Sequence, residues 1–336
     1  MRNMAIQRLT IFAVILALGV VVLGAYVRLS DAGLGCPDWP GCYGHLTVTQ
    51  AEQNTSSVNE AYPERPLETG KAWKEMVHRY FAGILGLIVF AIAFMAWRRR
   101  KITTGEIWKL PQFLAVLIVF QALLGMWTVT LLLKPVIVML HLLGGMATLS
   151  LLWWLYMRES DFAMDTSVTS GTRLNTAAMI GLIIVVTQIA LGGWTSANYA
   201  ALACPDFPTC QNEWWPPTDF NEAFVLWRGL GVDYEGGVLD NAARVTIHLV
   251  HRIGAVVTFL FIGWLALRAL LHNTSSVVRK TGAAMLALLL AQIGLGIANV
   301  VMGLPLWVAS AHNGVAALLL LSVVTLNHVI RPREWV

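Results

Sequence analysis

The sequence predicts an all-α integral membrane protein: eight transmembrane helices arranged as two parallel-repeat four-helix bundles. Three observations carry that expectation. Hydrophobic residues make up 57% of the 336-residue chain and charged residues only 12%, roughly half the charged share of a soluble domain. Eight apolar runs, at 9–29, 75–97, 111–133, 136–157, 174–197, 245–270, 281–302 and 306–329, each reach the ~20 residues needed to cross a bilayer. The landmarks of the first half then recur in the second.

The first run follows Arg2 and Arg8, as a signal peptide's apolar core would. It is longer than such a core and no Ala-x-Ala cleavage site follows, so it reads as a retained helix. No Arg/Ser-rich presequence precedes it, which favours a bacterial plasma membrane. Basic residues gather at membrane edges: Arg98 to Lys101 with Lys109, Arg279 with Lys280, and Arg331 with Arg333. The positive-inside rule makes those loops and both termini cytoplasmic. The net charge of +4 is therefore a topology signal and implies no nucleic-acid partner. Loops 30–74 and 198–244 face outward, and between them they hold all four cysteines. An oxidising compartment there permits disulfides.

The halves align at five places. Leu23-Gly24-Ala25-Tyr26 matches Leu191-Gly192-Gly193-Trp194. The segment from Cys36 to Cys42 matches that from Cys204 to Cys210. Gln121 to Gly125 matches Gln292 to Gly296, His78-Arg79 matches His251-Arg252, and His141 matches His312. Four spans per half return the chain to its starting side, so the repeats run parallel about an axis along the membrane normal. The expected division is an N-terminal bundle over 1–160, a polar Ser/Thr-rich cytoplasmic linker over 161–173, and a C-terminal bundle over 174–336.

His78, His141, His251 and His312 lie near the outer ends of the second, fourth, sixth and eighth spans. Ionisable groups inside such runs are costly, and the default reading is functional. Each half offers two histidines at one depth. Zinc prefers four protein ligands in a structural site, whereas haem iron is satisfied by two axial imidazoles. Bundle cores commonly hold such cofactors. Arg79 and Arg252 follow directly and either pair with haem propionates or snorkel to the interface. Gly83, Gly86, Gly144, Gly145, Gly254 and Gly314 allow close helix packing or leave room for a planar ligand.

Glu75 precedes His78 by one helical turn and shares its face. His248 stands at that place in the second half. A carboxylate beside only one pair suggests that the N-terminal half is reactive, with Glu75 moving protons or steadying a developing cation. Each outer loop spaces its cysteines C-x5-C, wider than common zinc spacings. A structural disulfide in each loop is the leading reading. A redox-active one is the sharper reading for Cys36 and Cys42.

The combination of Arg28 to Cys42, Glu75-x-x-His78-Arg79, His141, His251-Arg252 and His312 resembles the haem A synthase family, in the branch with paired outer-loop cysteines. The resemblance covers nearly the whole chain. It implies a membrane oxidoreductase that oxidises a methyl group of haem O to the formyl group of haem A, for terminal oxidase biogenesis. It implies a resident haem b on His251 and His312, with substrate haem at His78 and His141. It also implies assistance by Glu75, a link of Cys36–Cys42 to activity, and a structural role for Cys204–Cys210. Haem O synthase and terminal oxidase assembly factors are the implied partners, with the electron donor unspecified. Three alternatives stand beside it: a bis-histidine di-haem electron carrier, a transporter, and a haem-binding assembly factor. Transport is disfavoured because the ionisable groups cluster at the outer edge and not at the midplane.

Overall fold

The computed structural model describes residues 4–100, 108–160, 172–271 and 275–330. Among them are eleven helices and no β-strand beyond two isolated bridges. The helices are α1 (Met4–Leu29), α2 (Val48–Gln53), α3 (Thr55–Ala61), α4 (Thr69–Arg99), α5 (Lys109–Thr130), α6 (Pro135–Glu159), α7 (Thr172–Ala197), α8 (Phe220–Ala223), α9 (Asn241–Leu271), α10 (Ser276–Val301) and α11 (Leu306–Val329). Eight of the described helices are long and apolar enough to cross a membrane: α1, α4, α5, α6, α7, α9, α10 and α11. Their outward faces carry large exposed apolar side chains such as Phe12, Leu87, Val116, Ile183 and Leu260. An apolar skin on that scale suits lipid and would aggregate in water. The chain is a multi-pass membrane protein.

Each expected span falls on one of these helices, save that 131–133 and Met302 lie past the ends of α5 and α10, and several helices start earlier. Helix α4 begins six residues before the apolar run and α9 begins four before it. Polar first turns, such as Thr69 to Lys74, are helical without being hydrophobic. Glu75 and His78 therefore sit well inside α4 instead of at its mouth. Local chemistry sets the other ends. Pro135 opens α6, Ser275 caps α10, and a capping box between Thr47 and Gln50 starts α2. Ser275 and Thr47 accept backbone N–H groups that a helix start leaves unpaired, and Pro135 has no such N–H to leave.

Helices α1, α4, α5 and α6 pack as a closed ring, α1 against α4, α4 against α5, α5 against α6 and α6 against α1. Helices α7, α9, α10 and α11 pack in the same cyclic order. The two groups meet where α11 lies on α1 and α6, and where α6 lies on α7. One large core joins them, including Ala17, Leu85, Leu149 and Leu152 from the first group and Ile262, Leu265, Leu289 and Val323 from the second. The Trp153 indole donates to Thr325 Oγ1 across the seam at 2.8 Å. Most of the expected linker, 161–171, lies outside the described residues, as do Lys101, Arg331 and Arg333. The last two linker positions, Thr172 and Arg173, belong to α7.

Candidate functional site

The two cysteine loops fold alike. Cys36–Cys42 and Cys204–Cys210 are both disulfide-bonded, and all four cysteines are buried. After the second cysteine of each loop, a tight turn closes with paired backbone hydrogen bonds, Cys42 with His45 and Cys210 with Glu213. Tyr43 and Gln211 take positive φ values of 55° and 55° in those turns. An aspartate steadies each turn by accepting from the backbone. Asp38 takes the N–H groups of Tyr43 and Gly44 at 2.6 and 2.8 Å, and Asp206 those of Gln211 and Asn212 at 2.6 and 3.1 Å. The Thr209 hydroxyl and these N–H donors hold the Asp206 carboxyl below its ordinary range. Burial, then the charges of Glu68 and Glu75, push the Tyr43 phenol up to about 12.

Each loop is fastened to a helix below it by corresponding groups. In the first half, Glu75 is 5% exposed, and its Oε2 accepts the Cys36 N–H at 2.9 Å. Its Oε1 accepts from Arg79 Nη2 at 2.5 Å. In the second half, His248 is equally buried, at 5%, and its Nδ1 accepts the Cys204 N–H at 3.3 Å. The arginines do not reach free into the bundle. Arg79 donates to the carbonyls of Asp38, Pro40 and Gly41, and Arg252 to those of Cys204, Asp206 and Thr209. Both guanidinium groups clamp their loops, and Arg252 Nε is buried without a protein partner. Gly35 lets the first loop lie on α4, since a Cβ there would stand 2.6 Å from the Lys71 carbonyl carbon.

Below the loops, each of the four histidine rings rests on a glycine of the neighbouring helix. His78 faces Gly24, His141 faces Gly125, His251 faces Gly192 and His312 faces Gly296. A Cβ at these glycines would stand 2.9, 3.5, 3.2 and 3.2 Å from the respective ring Cε1. His78 and His141 stand on α4 and α6 of the first group, and His251 and His312 on α9 and α11 of the second. Nδ1 of His78, His141 and His312 is buried without a hydrogen-bond partner. Buried polar atoms left unpaired are costly and call for an explanation. Among the described residues, no three His, Cys, Asp or Glu side chains converge as a metal cluster would need. Two imidazoles per half, with free nitrogens, fit an iron whose remaining positions come from its own macrocycle. His78 with His141 and His251 with His312 are the residues that would hold it.

Three glutamines were missed as part of this arrangement. Gln188 Nε2 contacts both Nδ1 and the carbonyl of His251 at 3.1 Å. Gln292 Nε2 contacts His312 Nε2 at 3.2 Å. Gln121 lies against Gly144, and its Nε2 has no partner. The signal was present in the sequence: Gln-x3-Gly occurs at 121, 188 and 292, each time on the glycine that receives a histidine ring. The stretch 211–244 crosses to the first half. Arg65 pairs with Asp233 at 2.7 Å and Glu235 at 3.1 Å. The Tyr234 N–H donates to the Leu132 carbonyl at 3.1 Å. Lys134, 2% exposed, donates to the Gly229 carbonyl and lies 3.3 Å from the Trp227 ring centroid.

Fold and site together define a helical membrane protein with two paired-histidine sites beneath disulfide-bonded loops. The chain matches the cytochrome oxidase assembly protein family COX15-CtaA over residues 7–324, and it belongs to that family. A haem A synthase of Shewanella oneidensis is 47% identical over 311 residues, covering 93% of this chain and 92% of that protein. A haem A synthase of Rhizorhabdus wittichii is 27% identical over 352 residues, covering 97% and 94%. One of Bacillus licheniformis is 30% identical over 231 residues, covering 66% and 68%. The resemblance read from the motifs is borne out. The two formed disulfides agree with the cysteine-containing branch.

Proposed function

We propose that this protein is a haem A synthase, an oxidoreductase of the bacterial inner membrane that converts the methyl group of haem O to the formyl group of haem A. The halves are repeats about an axis along the membrane normal. The N-terminal bundle, 1–160, takes the substrate haem between His78 and His141. The C-terminal bundle, 174–336, carries a resident haem b between His251 and His312. The cysteine loops face the outside and the termini the cytoplasm, following the basic clusters. Haem O synthase and oxidase assembly factors stand before and after it in haem delivery.

One observation carries this reading: Glu75 and His248 receive the same backbone N–H in corresponding loops, yet only one of them is an acid. A bound haem supplies electron transfer to and from its iron. The chain supplies the rest. Four glycines leave flat faces for the imidazoles, and apolar helices exclude water. Glu75 sits one turn from His78 with both oxygens held, by Cys36 N–H and by Arg79. A fixed, buried carboxylate stabilises positive charge developing on the carbon under oxidation and accepts a proton at Oε1 or Oε2. Cys36–Cys42 holds the N–H that positions this carboxylate. Because its sulfurs are buried, this bridge acts through position in preference to redox exchange. Arg79 and Arg252 keep their loops closed over the histidine sites.

The test is co-expression with a source of haem O, followed by extraction and chromatography of the haems. Wild type yields haem A together with haem b. Haem b alone, with supplied haem O recovered unchanged, would identify a di-haem electron carrier and end the enzymatic reading.

A further inference from the structure

We propose that the groove between α1 and α11 binds one glycerophospholipid from the leaflet beside the cysteine loops, with its phosphate at Lys74 and one acyl chain along α1. The groove has a volume of about 660 Å³, within the range of roughly 300–1,000 Å³ common for ligand sites. One wall is the face of α1 from Ile15 to Tyr26, and Ser310 of α11 stands opposite. Ile15 is 64% exposed, so the groove opens sideways to lipid. A Cβ at Gly19 would meet nothing within 4 Å.

From Ile15 to Tyr26 the helix rises about 16 Å, close to the hydrocarbon depth of one leaflet, about 15 Å. The groove is apolar along that length and polar at its outer end. There Lys74 Nζ lies 5.6 Å from the centroid of the Tyr26 ring. Lys71 pairs with Glu68, whereas Lys74 has no carboxylate partner among the described residues. The Ser310 hydroxyl is buried without a hydrogen-bond partner, and such a group calls for an acceptor. An ammonium, a lone hydroxyl and an apolar trough match the phosphate, ester and acyl chain of one lipid. A quinone has no anion for Lys74. The haem sites lie behind the walls: Gly24, which faces His78, stands two residues from Val22 and Tyr26, and His312 two residues from Ser310. Two residues are about 200° of helix, so a haem side chain would have to pass round α1 to enter.

The seam between α6 and α7 shows the same positions closed. In the aligned halves Trp194 corresponds to Tyr26, Ile247 to Lys74 and Met139 to Ser310. Trp194 and Ile247 are buried in one apolar cluster, and Met139 packs against it. A Cβ at Gly193 of α7 would stand 3.6 Å from Met139 Cγ. The Trp194 indole donates to the Ala223 carbonyl at 2.9 Å, which ties α8 of the second outer loop to this seam. The chain fills that seam with its own side chains. Between α1 and α11 the three closing residues are replaced by a phenol, an ammonium and a hydroxyl, and the apolar space is left for a membrane chain.

The experiment uses full-length protein in a mild detergent. Native mass spectrometry counts retained phospholipid, and titration with phosphatidylglycerol and phosphatidylethanolamine reads its affinity. Wild type should keep one phospholipid per chain. Gly19→Leu puts a branched side chain into the trough and should weaken binding about tenfold or more. Thr187→Leu, the matching change on α7, should leave binding unchanged. Lys74→Gln should weaken it about fivefold, and Lys74→Arg should restore it. The Lys74 pair leaves the trough's volume alone, so charge and space are tested separately. Wild type without phospholipid, wild-type affinity in Gly19→Leu or in Lys74→Gln, or equal weakening by Thr187→Leu would each overturn the proposal. So would a prenylated quinone or haem O as the mass that Gly19→Leu displaces.

Discussion

The first and second outer loops are built on one frame and finished differently. Both are closed by a buried disulfide, turned at a positive-φ residue, steadied by an aspartate and clamped by the arginine that follows a histidine. Both deliver the first cysteine's N–H to a buried side chain one turn before that histidine. Only the chemistry of that side chain differs, Glu75 against His248. The position is thus structural in both halves, and the carboxylate is an addition in one. The lesson is that Glu75 has two tasks, holding the loop and serving the reaction, which substitutions can separate.

The histidine pairs should break the symmetry most strongly. His251→Ala or His312→Ala should strip haem b from the purified protein. His78→Ala or His141→Ala should leave haem b in place and abolish haem A, read by chromatography of extracted haems. Next comes Glu75→Gln. Its amide oxygen can still accept the Cys36 N–H, so the loop persists, while conversion falls by about 10²- to 10³-fold and hydroxylated haem accumulates. Full formyl production by that variant would contradict the role given to the carboxylate.

Smaller effects sharpen the comparison. Ala203 precedes Cys204, but Gly35 precedes Cys36 and meets the α4 backbone. Gly35→Ala should destabilise the protein by about 1–3 kcal/mol through overpacking, seen as a lowered Tm, whereas Ala203→Gly should not. Arg65→Ala removes two exposed ion pairs to the second loop. It should cost at most about 1 kcal/mol and show mainly as faster proteolysis near 233–235. Least of all is an alkaline effect in the first loop. The folded Tyr43 phenol is raised from an ordinary 10.0 to about 12, so its contribution is whole below pH 10 and fades as pH climbs through 12. Tyrosinate absorbance compared with Tyr43→Phe measures it.

Much of the fold was legible because apolar length and duplication are properties of sequence. Eight spans, two disulfide loops and the four histidines follow from residue type and spacing alone. The helix starts were not, because the turn from Thr69 to Lys74 is helical without being apolar. The arginines were legible as important, and their loop contacts were not. Sequence adjacency placed Arg79 and Arg252 beside the histidines, but their side chains turn up to the loop carbonyls. Gln188 escaped notice because its counterpart is Val20, so a search for what the halves share passes over what only one has. The strap around Tyr234 has no periodicity, and its contacts to Leu132 and Arg65 arise only when the halves are brought side by side.

The most direct measurement is the haem content of Glu75→His, which gives the first half the residue the second already uses. A histidine can accept the Cys36 N–H as His248 accepts that of Cys204. The account predicts haem b at the wild-type level, haem O bound but unconverted, and no haem A. Haem A at the wild-type level in that protein would contradict it.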